Sequence, residues 1–208
     1  MGLALLLSVA GNASAQDVGD RPPVTVILGA ASGYSVPLGS PQSGAPDAVS
    51  NILKGFIPGE LEAGVQLWSH WRFLVYGGLG ALVRTTSSCV DVECGGSIAH
   101  AGAKVGFSGR IADDWVLIAG LGAGWHRIEL STRTVDTSTE ATATGVEGLL
   151  ELAALYSIAP IFRMGPFVST SIVSSSGWTN VVNGQTTQSA GNHVDGYFNF
   201  GLKLEFQL

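Results

Sequence analysis

From Val194 to Leu208 the chain alternates: Val194, Phe198, Phe200, Leu202, Leu204, Phe206 and Leu208 fall on one face, and Asp195, Tyr197, Asn199, Lys203, Glu205 and Gln207 on the other. Successive side chains of a strand point to opposite sides, so this stretch predicts a β-strand with one apolar and one polar face. Such a strand needs either a core or a membrane. The same rule predicts eight strands, at about 24–34, 57–68, 72–84, 97–109, 115–130, 144–156, 161–173 and 193–208. Segments 69–71, 110–114 and 157–160 read as tight turns. Segments 35–56, 85–96, 131–143 and 174–192 read as longer loops rich in Ser, Thr, Gly and Asn, and Asp47 is placed to cap a short helix from Ala48 to Lys54 in the first of them.

The segment 115–130 decides which face points inward. One face reads Trp115, Leu117, Ala119, Leu121, Ala123, Trp125, and the other reads Val116, Ile118, Gly120, Gly122, Gly124, His126. Glycine on a concave face makes room for large neighbours, so the glycine face is expected inside a barrel and the tryptophan face outside. Ten residues at about 3.3 Å each, tilted near 40°, span roughly 25 Å, the height of the apolar band of a membrane barrel. Beyond Trp125 the outer face turns to Arg127 and Glu129, as expected of an exit from lipid through an aromatic girdle. A soluble ligand-binding barrel of the lipocalin kind would need the two faces reversed.

Composition sharpens this picture. With 29 glycines among 208 residues, 12% charged residues and a mean hydropathy of +0.33, the chain is apolar for a soluble domain. Past the N-terminus it has no apolar run of membrane-helix length. A net charge of −6 and a pI near 5.0 leave no basic face for nucleic acid. At the N-terminus, Leu3 to Ala10 is a short apolar core, followed by Ala13, Ser14 and Ala15 and then polar Gln16 and Asp17. This predicts a signal peptide over 1–15 ahead of a single domain over 16–208, although no Lys or Arg precedes the apolar core. In an exported chain, Cys89 and Cys94, with four residues between them, are expected to form a loop-closing disulfide rather than a metal site. Asp91 and Glu93 beside them are oxygen donors ill-matched to thiolates.

Short turns at one end and long loops at the other, on eight alternating strands, resemble the small eight-stranded bacterial outer-membrane β-barrel proteins over about residues 24–208. The resemblance implies an all-β antiparallel transmembrane barrel in the cell outer membrane, with short periplasmic turns and long extracellular loops. It also implies outer-membrane lipid and the barrel-insertion machinery as partners. Members of this group typically end on an aromatic residue that the insertion machinery reads, whereas this chain ends on Leu208 with Phe206 two positions earlier. Its members include adhesins, structural anchors, conduits and a few lipid-modifying enzymes, so the resemblance names no activity.

The alternation also predicts what the barrel holds. Glu60, Glu62, Glu147, Glu151, Asp195 and Glu205 face inward with Arg72, Arg84, Lys104, Arg163 and Lys203, joined by His100 and His126. An eight-stranded barrel is just wide enough for side chains to fill it, so these groups are expected to pair as a packed polar plug; a polar relay or narrow conduit is the alternative. An enzyme reading would rest on His126 with Glu129 and Ser131, yet alternation puts His126 inside and the other two outside. The sequence therefore predicts a non-enzymatic barrel with no cofactor and no catalytic or metal site. Its expected role is structural, or an interaction made at the surface through the long loops, with a ligand the sequence does not name.

Overall fold

The structure, a computed structural model, describes residues 24–38, 55–83, 93–134 and 136–208. The expected signal peptide, the helix at Ala48–Lys54, Arg84 and Cys89 lie outside the described residues. Eight strands form: β1 (Val24–Pro37), β2 (Gly55–Leu67), β3 (Trp71–Val83), β4 (Glu93–Arg110), β5 (Trp115–Arg133), β6 (Ser138–Ala159), β7 (Phe162–Val182) and β8 (Gln185–Gln207). Each pairs antiparallel with the next, and β8 returns to β1, closing the barrel. The two chain ends of the barrel meet where Val26 and Leu208 exchange backbone hydrogen bonds of 2.9 Å.

Eight strands stand where alternation predicts them, but most run further, β6, β7 and β8 furthest of all. The segments 131–143 and 174–192, read from their composition as long loops, are mostly strand: β5 reaches Arg133, β6 begins at Ser138, and only Asn183 and Gly184 separate β7 from β8. Threonine and serine fit a two-sided polar strand as well as a loop, which is why composition misled here. Asn183 and Gly184 both have positive φ, 49° and 82°, the geometry that Asn-Gly supplies in a tight hairpin. At about 3.3 Å per residue and a tilt near 40°, the 13 residues of β2 rise about 33 Å and the 22 of β6 about 55 Å. The β5–β6 and β7–β8 hairpins therefore project roughly 20 Å past the shorter strands.

The outer wall is apolar. Leu61, Val75, Leu79, Leu121, Val146, Ile172 and Leu202 are each more than half exposed, and no second layer covers them among the described residues. Trp115 and Trp125 point outward as predicted, and beyond Trp125 an exposed Arg127–Glu129 ion pair marks the end of the apolar belt. At the short-turn end Trp71 packs edge-on against Phe107 and Trp115 against Tyr156, forming an aromatic girdle. The faces are thus those of a membrane barrel, and the lipocalin-like reversal does not occur.

Candidate functional site

The interior is layered. Toward the short-turn end, Val116, Ile118, Ala153, Leu155 and Phe167 form an apolar cluster. Toward the hairpin end, Phe56, Ile98, Ile128, Leu130, Val173, Trp178 and Tyr197 form another. Trp178 reaches the inside through a register shift against β6, where Ser176 and Gly177 of β7 stand against Thr144 alone and the inward positions pass from odd to even. Alternation alone could not place it, because a bulge leaves no mark on the hydrophobic pattern.

Between these clusters lie the ionisable side chains. Lys104 on β4 bonds Glu60 and Glu151 at 2.9 Å each and also pairs with Glu62. Lys203 on β8 bonds Glu62 at 2.7 Å and Glu151 at 2.5 Å. Two ammonium groups and three carboxylates from four strands therefore share one knot. Nearer the short-turn end, Arg72 pairs with Glu205, and Arg163 lies 3.7 Å from the same carboxylate. On the hairpin side of the knot, His100 places Nδ1 3.4 Å from Glu147 and Nε2 3.7 Å from Glu60. Tyr76, not anticipated from the sequence, points its hydroxyl at Glu147 at 3.4 Å, and Lys104 sits 5.1 Å over its ring.

Of the thirteen residues expected inside, the described twelve line the interior, and Arg84 lies outside the described residues. Eleven of the twelve belong to, or face, this network; Asp195 stands higher on β8, beyond Tyr197. Arg72, Lys203 and Glu205 have no exposed surface at all. Burial of this kind is tolerated because each charge has an opposite partner and hydrogen bonds. Small residues make the room: a Cβ on Gly102 or Gly124, which face one another across β4 and β5, would lie 2.6 Å from the Tyr76 hydroxyl, and one on Gly122 would lie 2.9 Å from Lys104 Cγ. Beside the knot lies a cavity of about 40 Å³ lined by Glu60, His100, His126, Glu147, Glu151 and Tyr197 among others. His126 is buried inside, stacked on Tyr197 with centroids 5.6 Å apart, whereas Glu129 faces out to pair with Arg127 and Ser131 is exposed. The three do not meet.

No protein-family model and no curated protein matches the chain. Solved structures do. The fold is similar to that of a major outer membrane protein from Thermus thermophilus, at 8% identity, with 90% of this chain and 100% of that one covered and a TM-score of 0.65. It is similar also to Neisserial surface protein A, at 10% identity, 91% and 100% coverage and a TM-score of 0.57. The outer membrane protein AlkL, solved in DMPC lipid bilayers, aligns at 12% identity, 94% and 95% coverage and a TM-score of 0.51. At such identities the likeness is one of fold. The closed eight-stranded meander with its apolar outer belt is the architecture of a small outer-membrane β-barrel.

Proposed function

We propose that this chain resides in the outer membrane and acts as a structural or surface-interaction protein, using its filled barrel as a rigid mount for the parts that project outside the cell. The observation that carries this reading is the occupancy of the lumen: among the described residues two apolar clusters and a layer of ion pairs fill it, and the cavity beside those pairs holds about 40 Å³. An open conduit for solutes needs continuous space, and room for about three waters does not supply it. The projecting β7–β8 tip carries exposed Asn183, Gln185, Thr186, Thr187 and Gln188, hydrogen-bonding groups without net charge. Its partners in this reading are outer-membrane lipid, the insertion machinery during assembly and a surface ligand of unnamed identity.

The test is electrical. The purified chain, folded into a planar bilayer, is expected to give no discrete conductance steps in molar salt; reproducible steps would favour the narrow conduit instead. For the enzyme alternative, buried His126 and outward Glu129 do not meet, so lipid A deacylation and palmitoyl-transfer assays are expected to show no turnover.

A further inference from the structure

The short-turn end of the barrel carries a large apolar side chain at each corner. Trp68 stands in the β2–β3 turn, Ile111 in the β4–β5 turn, Ile161 in the β6–β7 turn and Leu208 at the β8–β1 corner, and each is more than half exposed. The hairpin end differs, since its described tips hold exposed Asp136, Thr137, Asn183 and Gln185. Large apolar groups gathered at one surface mark an interaction face.

The β2–β3 turn shows this most clearly. The His70 N–H bonds the Leu67 carbonyl at 3.1 Å, and both residues between them have positive φ, 49° at Trp68 and 65° at Ser69. A type I′ turn has this geometry and favours Asn and Gly, the pair that Asn183 and Gly184 supply at the other end. Tryptophan there is a steric misfit. Its neighbours hold the turn in place: Gln66 Nε2 donates to the Ser69 carbonyl at 2.7 Å, His70 Nδ1 to the Trp68 carbonyl at 2.6 Å, and the Ser108 N–H to the His70 carbonyl at 2.8 Å. Backbone strain over-determined in this way points to a task for the side chain.

We propose that Trp68, with Ile111, Ile161 and Leu208 around the same rim, is embedded in the headgroup layer of the phospholipid leaflet on the periplasmic side and fixes how deep the barrel sits. The partner is a lipid surface because the rim continues one that already faces lipid. The His70 ring stacks on Phe107 with centroids 5.4 Å apart, Phe107 packs on Trp71 at 5.9 Å, and the Ile111 N–H bonds the Trp115 carbonyl at 3.0 Å, so the turns adjoin the aromatic girdle directly. Indole suits that layer, with an apolar body for the acyl boundary and an N–H for the headgroups. Arg110, Asp113 and Asp114, exposed beside Ile111, stay hydrated at the same depth. Burial of the indole in lipid offsets the strain of its turn. This inference is independent of the surface role proposed above.

The test uses the full chain folded into phosphatidylcholine vesicles, with strand content checked by circular dichroism. The chain has five tryptophans, so the fluorescence of Trp68 is read as the difference between the parent and Trp68→Phe. Phosphatidylcholine brominated high on its acyl chains is expected to quench that difference signal by about half or more, and acrylamide on both sides of the bilayer to quench it far less than it quenches free tryptophan. A signal that acrylamide quenches as it does free tryptophan, or that brominated lipid leaves untouched, overturns the proposal and leaves the turn in water, open to a periplasmic protein instead. Trp68→Asn with Ser69→Gly gives the turn the residues its backbone favours. In vesicles this variant should keep the strand content yet unfold at a lower urea concentration than the parent. An equal or higher midpoint overturns the proposal as well, since no lipid contact would then offset the strain.

Discussion

Lys203 and Glu62, 141 positions apart in the chain, bond at 2.7 Å in the middle of the barrel with neither side chain exposed to solvent. The contact joins β8 to β2 across β1, so it holds only when the barrel is closed. Desolvating two charges costs several kcal/mol each, which their attraction and shared hydrogen bonds offset, and the consequence is an asymmetry. Removing one partner is costly, whereas removing both is mild. Lys203→Leu should destabilise the folded barrel by about 3–5 kcal/mol, since Glu62 and Glu151 then share Lys104 alone. Adding Glu62→Gln should recover most of that loss. Urea unfolding of barrels folded into lipid vesicles measures both, and a double variant no more stable than the single one would mean that the lysine acts through packing rather than charge.

The neighbouring position gives the opposite expectation. Leu202 is 59% exposed and pairs with Pro166 on one side and Ser32 on the other, all on the outer wall. Leu202→Arg should cost about 2–4 kcal/mol in lipid, because an unpaired charge enters hydrocarbon. Leu202→Ala should cost much less. If arginine were tolerated as well as alanine, residue 202 would lie outside the lipid belt.

Gly124 tests the packing of the interior. A Cβ there would fall 2.4 Å from the Ala101 carbonyl oxygen and 2.6 Å from the Tyr76 hydroxyl, so both wall and ring must shift. Gly124→Ala should destabilise by about 1–3 kcal/mol despite the better intrinsic fit of alanine to a strand. Combining it with Tyr76→Phe relieves only the hydroxyl contact and should recover part of the loss. Full tolerance in the same unfolding assay would mean that the β4–β5 wall yields more easily than its close contacts imply.

How far the sequence foretold all this depended on the kind of signal. Period-two alternation reports which face a residue occupies, and it placed Trp115, Trp125, His100, His126 and Lys203 correctly because their strands run without a bulge at those positions. It predicted the inward ionisable groups as a list, but not who meets whom. Lys104 meets Glu60 and Lys203 meets Glu62 through register and closure, which no local pattern encodes. Tyr76 escaped notice because a tyrosine on an alternating strand suits either face, and Trp178 because a bulge reverses the faces. The extension of β5–β8 was missed for a compositional reason: Thr, Ser and Asn sit as readily in a solvated hairpin as in a loop.

Cys94 is the second residue of β4 and is buried at 2% exposure, while Cys89 lies outside the described residues. Export, together with a spacing of four residues, supports a disulfide between them that closes the β3–β4 connection. Mass spectrometry of the unreduced chain should find the peptide containing both cysteines two hydrogens light. Reaction of freshly purified, unfolded protein with a thiol reagent at two sites per chain would count against the pairing.

Topology is the remaining expectation, and the structure sharpens the choice of sites. The short turns hold Trp68–His70, Ile111–Asp114 and Pro160–Ile161, while the projecting hairpins hold Asn183 and Asp136 at the other end. Long or projecting connections of such barrels face outward from the cell and short turns face the periplasm. With the native cysteines replaced by serine, a single cysteine at Asn183 or Asp136 should react with a membrane-impermeant maleimide on intact cells. A cysteine at Asp113, exposed in the short β4–β5 turn, should react only after the outer membrane is permeabilised. The Asn183 side chain accepts a hydrogen bond from the Ser138 backbone N–H at 3.0 Å, so its replacement loosens the hairpin tip without disturbing the interior. Labelling at Asp113 but not at Asn183 on intact cells would turn the barrel over and move the projecting hairpins, with the surface role proposed for them, into the periplasm.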